Sequence, residues 1–424
     1  MPSSATERTE SRGDSTRKKI VVGVTGGIAA YKACQVIRDF TKRGADVTVV
    51  PTPNALHFVG SATFEALSGN PVTTSVFEHV DEVRHVELGQ DADLVVIVPA
   101  TADFISRLAH GRADDLLTAT CLVATCPVVV APAMHTEMWK NEAVQRNISL
   151  LREDGLCVIE PAIGRLTGPD SGAGRLPDPR QIVDLALARL DGVTFHRNLA
   201  GIRLLVSAGG TREDLDPVRF IGNRSSGKQG FALAEIAAQR GAQVTVVAAA
   251  TDELPDPLTA TMVHVRSAHQ LKEAMEEYLP SMDVVIMAAA VADYRPANES
   301  DTKVKKGSKG EESLQTLSMV ENPDILKELV AHHDHQIMVG FAAETGDESH
   351  TPLEHGLAKA KRKGCDFLMG NEVGRDKTFG ADSNGGWLIA KDGTYQELPA
   401  ASKYVVAGEI LDAVAQLVPR HLQV

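Results

Sequence analysis

Aromatic residues are few: 2 Trp, 5 Tyr and 11 Phe make up 4 % of the 424 positions, so any core must be packed from Val, Ile, Leu and Ala. Cysteine is scarce as well. Cys34, Cys121, Cys126, Cys157 and Cys365 are odd in number and scattered, which gives no disulfide framework and no metal knuckle. Cys121 and Cys126, within CLVATC, read as two small buried residues, and five free thiols fit a reducing cytoplasm. Basic charge is in deficit. A formal net charge of −13 argues against a general nucleic-acid binder, which needs cationic surface to displace counterions. Phosphate ligands stay open, because a few lysines and backbone amides can hold them locally. No apolar run reaches the roughly 18 residues that cross a bilayer. The N-terminal stretch MPSSATERTESRGDSTRKK is polar and lacks the apolar core of a signal peptide, so residues 1–18 are expected to be a disordered tail. The expectation is a cytoplasmic protein with neither membrane nor nucleic acid as partner.

What is present points to two α/β domains. Hydrophobic residues at 43 % and charged residues at 23 % are ordinary for a globular chain, and the length suits two cores. Two segments resemble each other. KKIVVGVTGGIAAYKACQVIRDFTKRGADVTVVPT (18–52) reads as apolar strand, glycine-rich turn, amphipathic helix, RGA and a second apolar strand. IRLLVSAGGT (202–211) followed by GKQGFALAEIAAQRGAQVTVVAAA (227–250) repeats that order. Each is a βαβ opening with parallel strands. Further apolar strands are expected at 93–100, 126–134, 283–291, 336–345 and 365–373. The expected fold class is α/β, with two doubly wound, mostly parallel, Rossmann-like sheets in domains 19–190 and 191–424 and a seam near 185–201. No solenoid period is visible. The lysine-rich KVKKGSKGEES (303–313) reads as a polar, mobile insertion.

In the first half, Gly26 and Gly27 of TGGIAAYK (25–32) permit a tight turn that exposes amides at a helix start. That arrangement suits a phosphate or is simply a tight βα turn. PATADF (99–104) and APAMHTEMW (131–139) each follow a strand. Ligands of open parallel sheets sit outside the strands' carboxyl ends, so these three loops would frame one flat pocket. Met134, Met138 and Trp139 are lining or core candidates. His85, in RHVELG just before an apolar strand, could serve as acid, base or charge partner for a carboxylate.

The pieces TGGIAAYK, RHVELG, ADLVVIVPATADFISRLAHGRADDLL, PAMHTEMW and GAGRL span Ile20 to Arg175. Together they resemble the homo-oligomeric flavin-containing cysteine decarboxylases, specifically phosphopantothenoylcysteine decarboxylase. The resemblance implies FMN held by Thr25, Gly26, Gly27, Ile28, Thr52, Pro99, Ala100, Thr101 and Met134. It implies oxidation of the substrate thiol, loss of CO₂ and return of the electrons, with His85 as the active-site histidine. Two positions depart from that family. His135 stands where an asparagine is usual, so charge can replace part of an amide's role in holding a carboxylate. In the flap stretch LTGPDSGAGRL (166–176), Gly168 stands where a proton-donating cysteine is usual, which leaves Asp170, Ser171, Cys157 or water as proton sources.

The second half centres on SAGGTREDLDPVRFIGNRSSGKQG (207–230), whose SSGKQG enters a helix. Its spacing is not GxxxxGK[ST], so a P-loop NTPase is disfavoured. Asp293 in AAAVADYRP (288–296) could hold a metal beside a nucleotide. In ENPDI (321–325), Asn322 is expected as a helix N-cap and Pro323 as the first helical residue. Phe341 in GFAAET (340–345) could stack on a base, and Lys359 and Lys363 share one helix face, either against phosphates or as a solvated charged face.

AGGTREDLDPVRFIGNRSSGKQGFALA, AAVADYR, a lysine ten residues beyond Asp293, NPDI and GFAAET are similar to phosphopantothenate–cysteine ligase over nearly the whole half. The resemblance implies CTP as co-substrate: the carboxylate of 4′-phosphopantothenate attacks its α-phosphate, and cysteine displaces CMP from the acyl-cytidylate. Asn223 then contacts that intermediate. Met287, Ala288, Ala289, Asn322, Pro323, Asp324, Ile325 and Phe341 frame the nucleotide, Lys303, Lys359 and Lys363 face its phosphates, and Asp293 holds Mg²⁺ or Mn²⁺. The ligase product, 4′-phosphopantothenoylcysteine, is the decarboxylase substrate, so the halves are consecutive steps of coenzyme A biosynthesis. By the same resemblance the chain is a homo-oligomer, a dodecamer built from decarboxylase trimers and ligase dimers. The alternatives are a first half that is a non-catalytic FMN-binding or regulatory module, or one that performs another flavin-dependent decarboxylation or prenyl transfer.

Overall fold

The structure is a computed structural model that describes residues 17–74, 84–166, 170–305, 317–344, 349–372 and 381–418. Residues 1–16 of the expected tail, Gly168, and residues 306–313 of the lysine-rich insertion lie outside the described residues. The chain forms two compact units, one of residues 1–159 and 164–186, the other of residues 160–163 and 187–424.

The first unit is built on five strands: β1 (Lys19–Val24), β2 (Asp46–Pro51), β3 (Leu94–Ala100), β4 (Val128–Pro132) and β5 (Cys157–Val158). They lie in the order β2-β1-β3-β4-β5, and every pair is parallel. Parallel strands buried on both faces must be apolar throughout rather than alternating, and β3 is buried along its whole length. The helix Ala30–Lys42 turns Ala33, Val36, Ile37 and Phe40 inward, the spacing of one amphipathic stripe. Strand order reverses between β1 and β3, which opens a crevice at the carboxyl ends of the strands. Two short strands, β6 (Ala162–Arg165) and β7 (Ser171–Arg175), form a separate ribbon.

The second unit holds an eight-stranded sheet. Its strands are β8 (Arg203–Ala208), β11 (Gln243–Ala248), β12 (Thr261–His264), β13 (Val284–Met287), β16 (Ile337–Glu344), β17 (Phe367–Glu372), β18 (Ser383–Ala390) and β19 (Tyr395–Ser402), in the order β12-β11-β8-β13-β16-β17-β18-β19. The first six are parallel, and β18 and β19 close the sheet as an antiparallel hairpin. The mostly parallel expectation thus holds through β17. Glycine-interrupted SNGGWLIA does not carry the continuous apolar pattern that marked the others. Here the order reverses between β8 and β13. Two ribbons, β9 (Arg212–Asp216) with β10 (Arg219–Gly222) and β14 (Tyr294–Pro296) with β15 (Met319–Glu321), follow the carboxyl ends of β8 and β13. The core is aliphatic, with Leu205, Val247, Leu271, Met275, Val285 and Met338 among its residues, as the scarcity of aromatics requires. The helix Lys228–Gln239 is buried from Gly230 to its end. Beyond it, the fully buried Arg240 donates to Asp412 Oδ1 at 2.7 Å and to the Gly408 carbonyl at 3.3 Å, tying it to the helix Lys403–Leu417.

Candidate active sites

At the crevice of the first unit lies a cavity of about 500 Å³ lined by the TGGIAAYK turn, Pro99, Met134, His135, Arg165 and Arg175. Of the residues expected to hold flavin, Gly27, Ile28, Pro99 and Met134 line it. The other five are not among its lining residues. Thr25 is buried; its Oγ1 donates to the Pro99 carbonyl at 2.7 Å and accepts from the Thr101 N–H at 3.0 Å, joining the loops after β1 and β3. Thr101 also caps the helix Ala102–Ala109, and Ala100 is buried at the end of β3. A Cβ on Gly26 would lie 2.5 Å from Asn54 Cβ. Thr52 is buried beyond β2, and its hydroxyl has no hydrogen-bond partner among the described residues.

His135 opens the short helix Thr136–Lys140. Its Nδ1 meets Glu137 Oε2 and its Nε2 lies 3.4 Å from Asp170 Oδ2. The hydrogen bond to Glu137 is the main cause that raises the ring's pKa above the ordinary histidine value. Gly174 brings β7 against this loop. Its φ is +124° and a Cβ would stand 2.4 Å from the Met134 carbonyl, so only glycine fits, and its own carbonyl accepts from the Met134 N–H at 2.9 Å. Lys32, Arg165, Arg175 and His135 make the lining cationic, and among the described residues no carboxylate lines it. Burial, followed by repulsion from Arg175, lowers the Lys32 pKa. Lys32 and Arg175 stand inside the quoted motifs TGGIAAYK and GAGRL, yet spacing alone did not single them out.

His85 is not among the cavity's lining residues. It lies in the helix Arg84–Asp91, which precedes β3, and a Cβ on Gly89 of that helix would meet Val123 of the helix Leu116–Val123 at 2.5 Å. Of the two remaining lining candidates, Trp139 belongs to the hydrophobic core and Met138 is exposed. Among the candidate proton sources, Asp170 is exposed beside His135, Ser171 begins β7 at the surface, and Cys157 is buried in β5. Cys121 is buried, as expected, and Cys126 is half-buried.

In the second unit, a cavity of about 890 Å³ gathers Asn223, Met287, Ala289, Asp293, Asn322, Pro323, Asp324, Ile325, Phe341, Lys359 and Lys363 from separate segments. Asn223 is held by a hydrogen bond from Nδ2 to the Val291 carbonyl at 3.0 Å. A smaller cavity of about 130 Å³ shares Ala289 and Phe341 with it and is lined by Ala288, the Ser225–Gly230 turn, Asn371, Asn384 and Lys403. Gly227 is the N-cap of the helix Lys228–Gln239 at φ +79°, where a Cβ would meet Thr251 Cγ2 at 2.5 Å. The buried Asn371 donates to Asn384 Oδ1, while its own Oδ1 has no partner among the described residues. Burial, followed by repulsion from Lys228, lowers the Lys403 pKa. Nothing in the local sequence marks Asn371 or Lys403 as site residues.

Three expectations are corrected or refined. Asn322 is not the N-cap. Its Nδ2 donates to the Ala292 carbonyl at 2.8 Å and its Oδ1 accepts from Arg295 at 3.1 Å. The cap of the helix Ile325–His332 is Asp324, which accepts from the Lys327 N–H, so Pro323 precedes the cap instead of opening the helix. Lys303 is exposed and lines neither cavity, although the adjacent Val304 is fastened to Asp216 and Arg219. Lys359 and Lys363 do reach the larger cavity, but each meets a carboxylate. Lys359 Nζ lies 2.8 Å from Glu344 Oε1, and Lys363 Nζ lies 2.5 Å from both oxygens of Asp324. Burial pushes the Asp324 carboxyl up, but hydrogen bonds from Lys363 and the Lys327 N–H outweigh it and leave the pKa lowered.

Sequence comparison places both units. Residues 8–191 match the profile described as Flavoprotein, and residues 199–418 match that of the DNA/pantothenate metabolism flavoprotein C-terminal domain. The coenzyme A biosynthesis bifunctional protein CoaBC of Mycolicibacterium smegmatis is 55 % identical over 95 % of this chain and 98 % of its own. That of Mycobacterium tuberculosis H37Rv is 55 % identical over 94 % of this chain and 96 % of its own. A solved structure, the C-terminal domain of a coenzyme A biosynthesis bifunctional protein CoaBC, is 36 % identical, covers 52 % of this chain and 98 % of its own, and superposes with a TM-score of 0.44. Near-full-length identity at this level settles descent: the chain belongs to the family of bifunctional CoaBC proteins of coenzyme A biosynthesis.

Proposed function

We propose that the second unit joins cysteine to 4′-phosphopantothenate at the expense of CTP and that the first unit decarboxylates the product. The observation that carries the ligase half is the convergence of Asn223, Asp293, Phe341, Lys359 and Lys363 on one cavity at the carboxyl edge of a doubly wound sheet. Nucleotidyl transfer needs positioning and charge neutralisation more than covalent help. Phe341 offers a ring to a base, the two lysines face phosphates, and Asn223 lies where an acyl-cytidylate would pass. The smaller cavity, with a helix N-terminus and two lysines, suits the phosphate of 4′-phosphopantothenate. Asp293 fits Mg²⁺ or Mn²⁺. No cluster of three or more metal-ligating side chains occurs among the described residues, and a cation at a nucleotide takes one or two carboxylates and completes its shell with phosphates and water.

The first-unit cavity fits FMN by a lining with four cationic or protonatable side chains; Thr52, just beyond the carboxyl end of β2, does not line it, but its buried hydroxyl has no partner among the described residues. FMN supplies a reversible sink for the thiol's electrons. Gly27, Ile28, Pro99 and Met134 would hold it, while Lys32 and Arg175 neutralise phosphate. His135 faces the substrate carboxylate as a cation, and the Asp170 carboxyl, 3.4 Å from His135, can move a proton through that ring. His85 lies outside this cavity, which fits a homo-oligomer whose decarboxylase site is completed by a second copy, with trimers of this unit and dimers of the other giving a dodecamer. Among the described residues no helix is long and apolar enough to cross a membrane. The test is a coupled assay that supplies 4′-phosphopantothenate, cysteine and each nucleoside triphosphate in turn and follows pyrophosphate and CO₂ separately. CTP-dependent pyrophosphate followed by CO₂ is expected. Yellow protein that yields pyrophosphate without CO₂ would favour a binding role for the first unit.

A further inference from the structure

The two lysines of the larger cavity stand four residues apart on the helix Pro352–Lys363, whose start is set by a Thr351–Glu354 capping box. Neither ammonium group is left bare. Glu344, at the end of β16, meets Lys359 at 2.8 Å, with only 16 % of its side chain exposed. Asp324 meets Lys363 at 2.5 Å. The charges on the cavity wall balance: Arg224, Lys359 and Lys363 stand against Asp293, Glu321 and Asp324. At either lysine, a polyanion entering such a site meets a charge that is already paired. It must take cations from carboxylates that already hold them, or bring its own.

We propose that Glu344 is a positioning residue for the nucleotide step: a counter-charge latch that holds Lys359 between turnovers and competes with the triphosphate, and then with pyrophosphate, for the same ammonium group. This rests on the ligase reading of the unit. A half-buried lysine without a partner is costly, so the empty site needs an internal anion. An internal anion weakens capture of the incoming one and speeds release of the leaving one. Glu344 is the cleaner half of the pair of latches, because Asp324 also caps a helix through Lys327. Glu344 supplies its charge from outside the ring of residues that frame the cavity, so it acts on the phosphates through Lys359.

The test uses full-length protein with CTP, 4′-phosphopantothenate and cysteine. Glu344→Gln keeps the shape and removes the charge. The KM for CTP should fall by roughly two- to five-fold, the size one partly screened ion pair supports. Product inhibition by pyrophosphate should tighten by a similar factor, and kcat should not rise. In a Lys359→Met background the same substitution should leave both constants where they were, because the two residues act as one unit. An unchanged or raised KM in Glu344→Gln, or an equal effect with Lys359 absent, overturns the latch while CTP turnover by the wild type leaves the ligase reading standing. Wild-type protein that releases no pyrophosphate from CTP overturns that reading, and the latch with it.

Discussion

His135 shows how much a single side chain can carry. Both ring nitrogens face carboxylates, Glu137 on one side and Asp170 on the other. Its raised pKa means that the imidazolium persists to higher pH than in a free histidine, and that its charge is lost as pH climbs through the folded value. Glu137→Gln removes the first of the causes. We expect the alkaline limb of the CO₂-release profile to move to lower pH in that variant; an unmoved limb would remove His135 from the charge-bearing role. PAMHTEMW displayed the histidine and Glu137 two positions apart, so this contact was half legible. The approach of Asp170, thirty-five positions on, depends on β7 returning to the loop through Gly174 and was not legible from spacing.

At the scale of elements, periodicity was a good guide wherever strands are buried on both faces. IVVGV, VTVV and LLVSA are β1, β2 and β8, because a strand with no solvent face reads as a nearly continuous apolar run. The antiparallel β18 and β19 carry no such pattern and went unread. The helix at ENPDI began later than expected: the amide of Asn322 was claimed by Ala292 and Arg295, partners thirty and twenty-seven positions upstream, and Asp324 took the cap. The turn before the helix Lys228–Gln239 depends on a left-handed Gly227. Gly227→Ala should cost about 1–3 kcal/mol, seen as a lower thermal midpoint of the ligase unit, and should raise the KM for 4′-phosphopantothenate. An unaltered midpoint would show that the turn tolerates a side chain.

On the scale of the whole molecule, a chain of net charge −13 keeps one cavity whose charged lining residues, among those described, are all basic and another in which cations and carboxylates balance. The two chemistries should therefore separate by substitution. His85→Asn should abolish CO₂ release and leave CTP-dependent pyrophosphate formation intact; loss of both in folded, assembled protein would contradict the division. Asn223→Asp, which places a negative charge where an anionic intermediate passes, should lower ligation by roughly 10²-fold and spare decarboxylation of added 4′-phosphopantothenoylcysteine. Unchanged ligase turnover would take Asn223 out of the site. Local chemistry in the sequence was enough to determine the parallel strands, the glycine turns at their ends and half of the residues lining the larger second-unit cavity, because those features sit in contiguous motifs whose backbone demands and side-chain types are visible in a line of letters. Only the tertiary structure decided that His85 stands apart from His135, that Asn371 and Lys403 join the Ser225–Gly230 turn, and that Glu344 and Asp324 hold the two lysines. Such pairings bring together segments with no fixed spacing, and they exist only once the sheet has set which strand ends are neighbours.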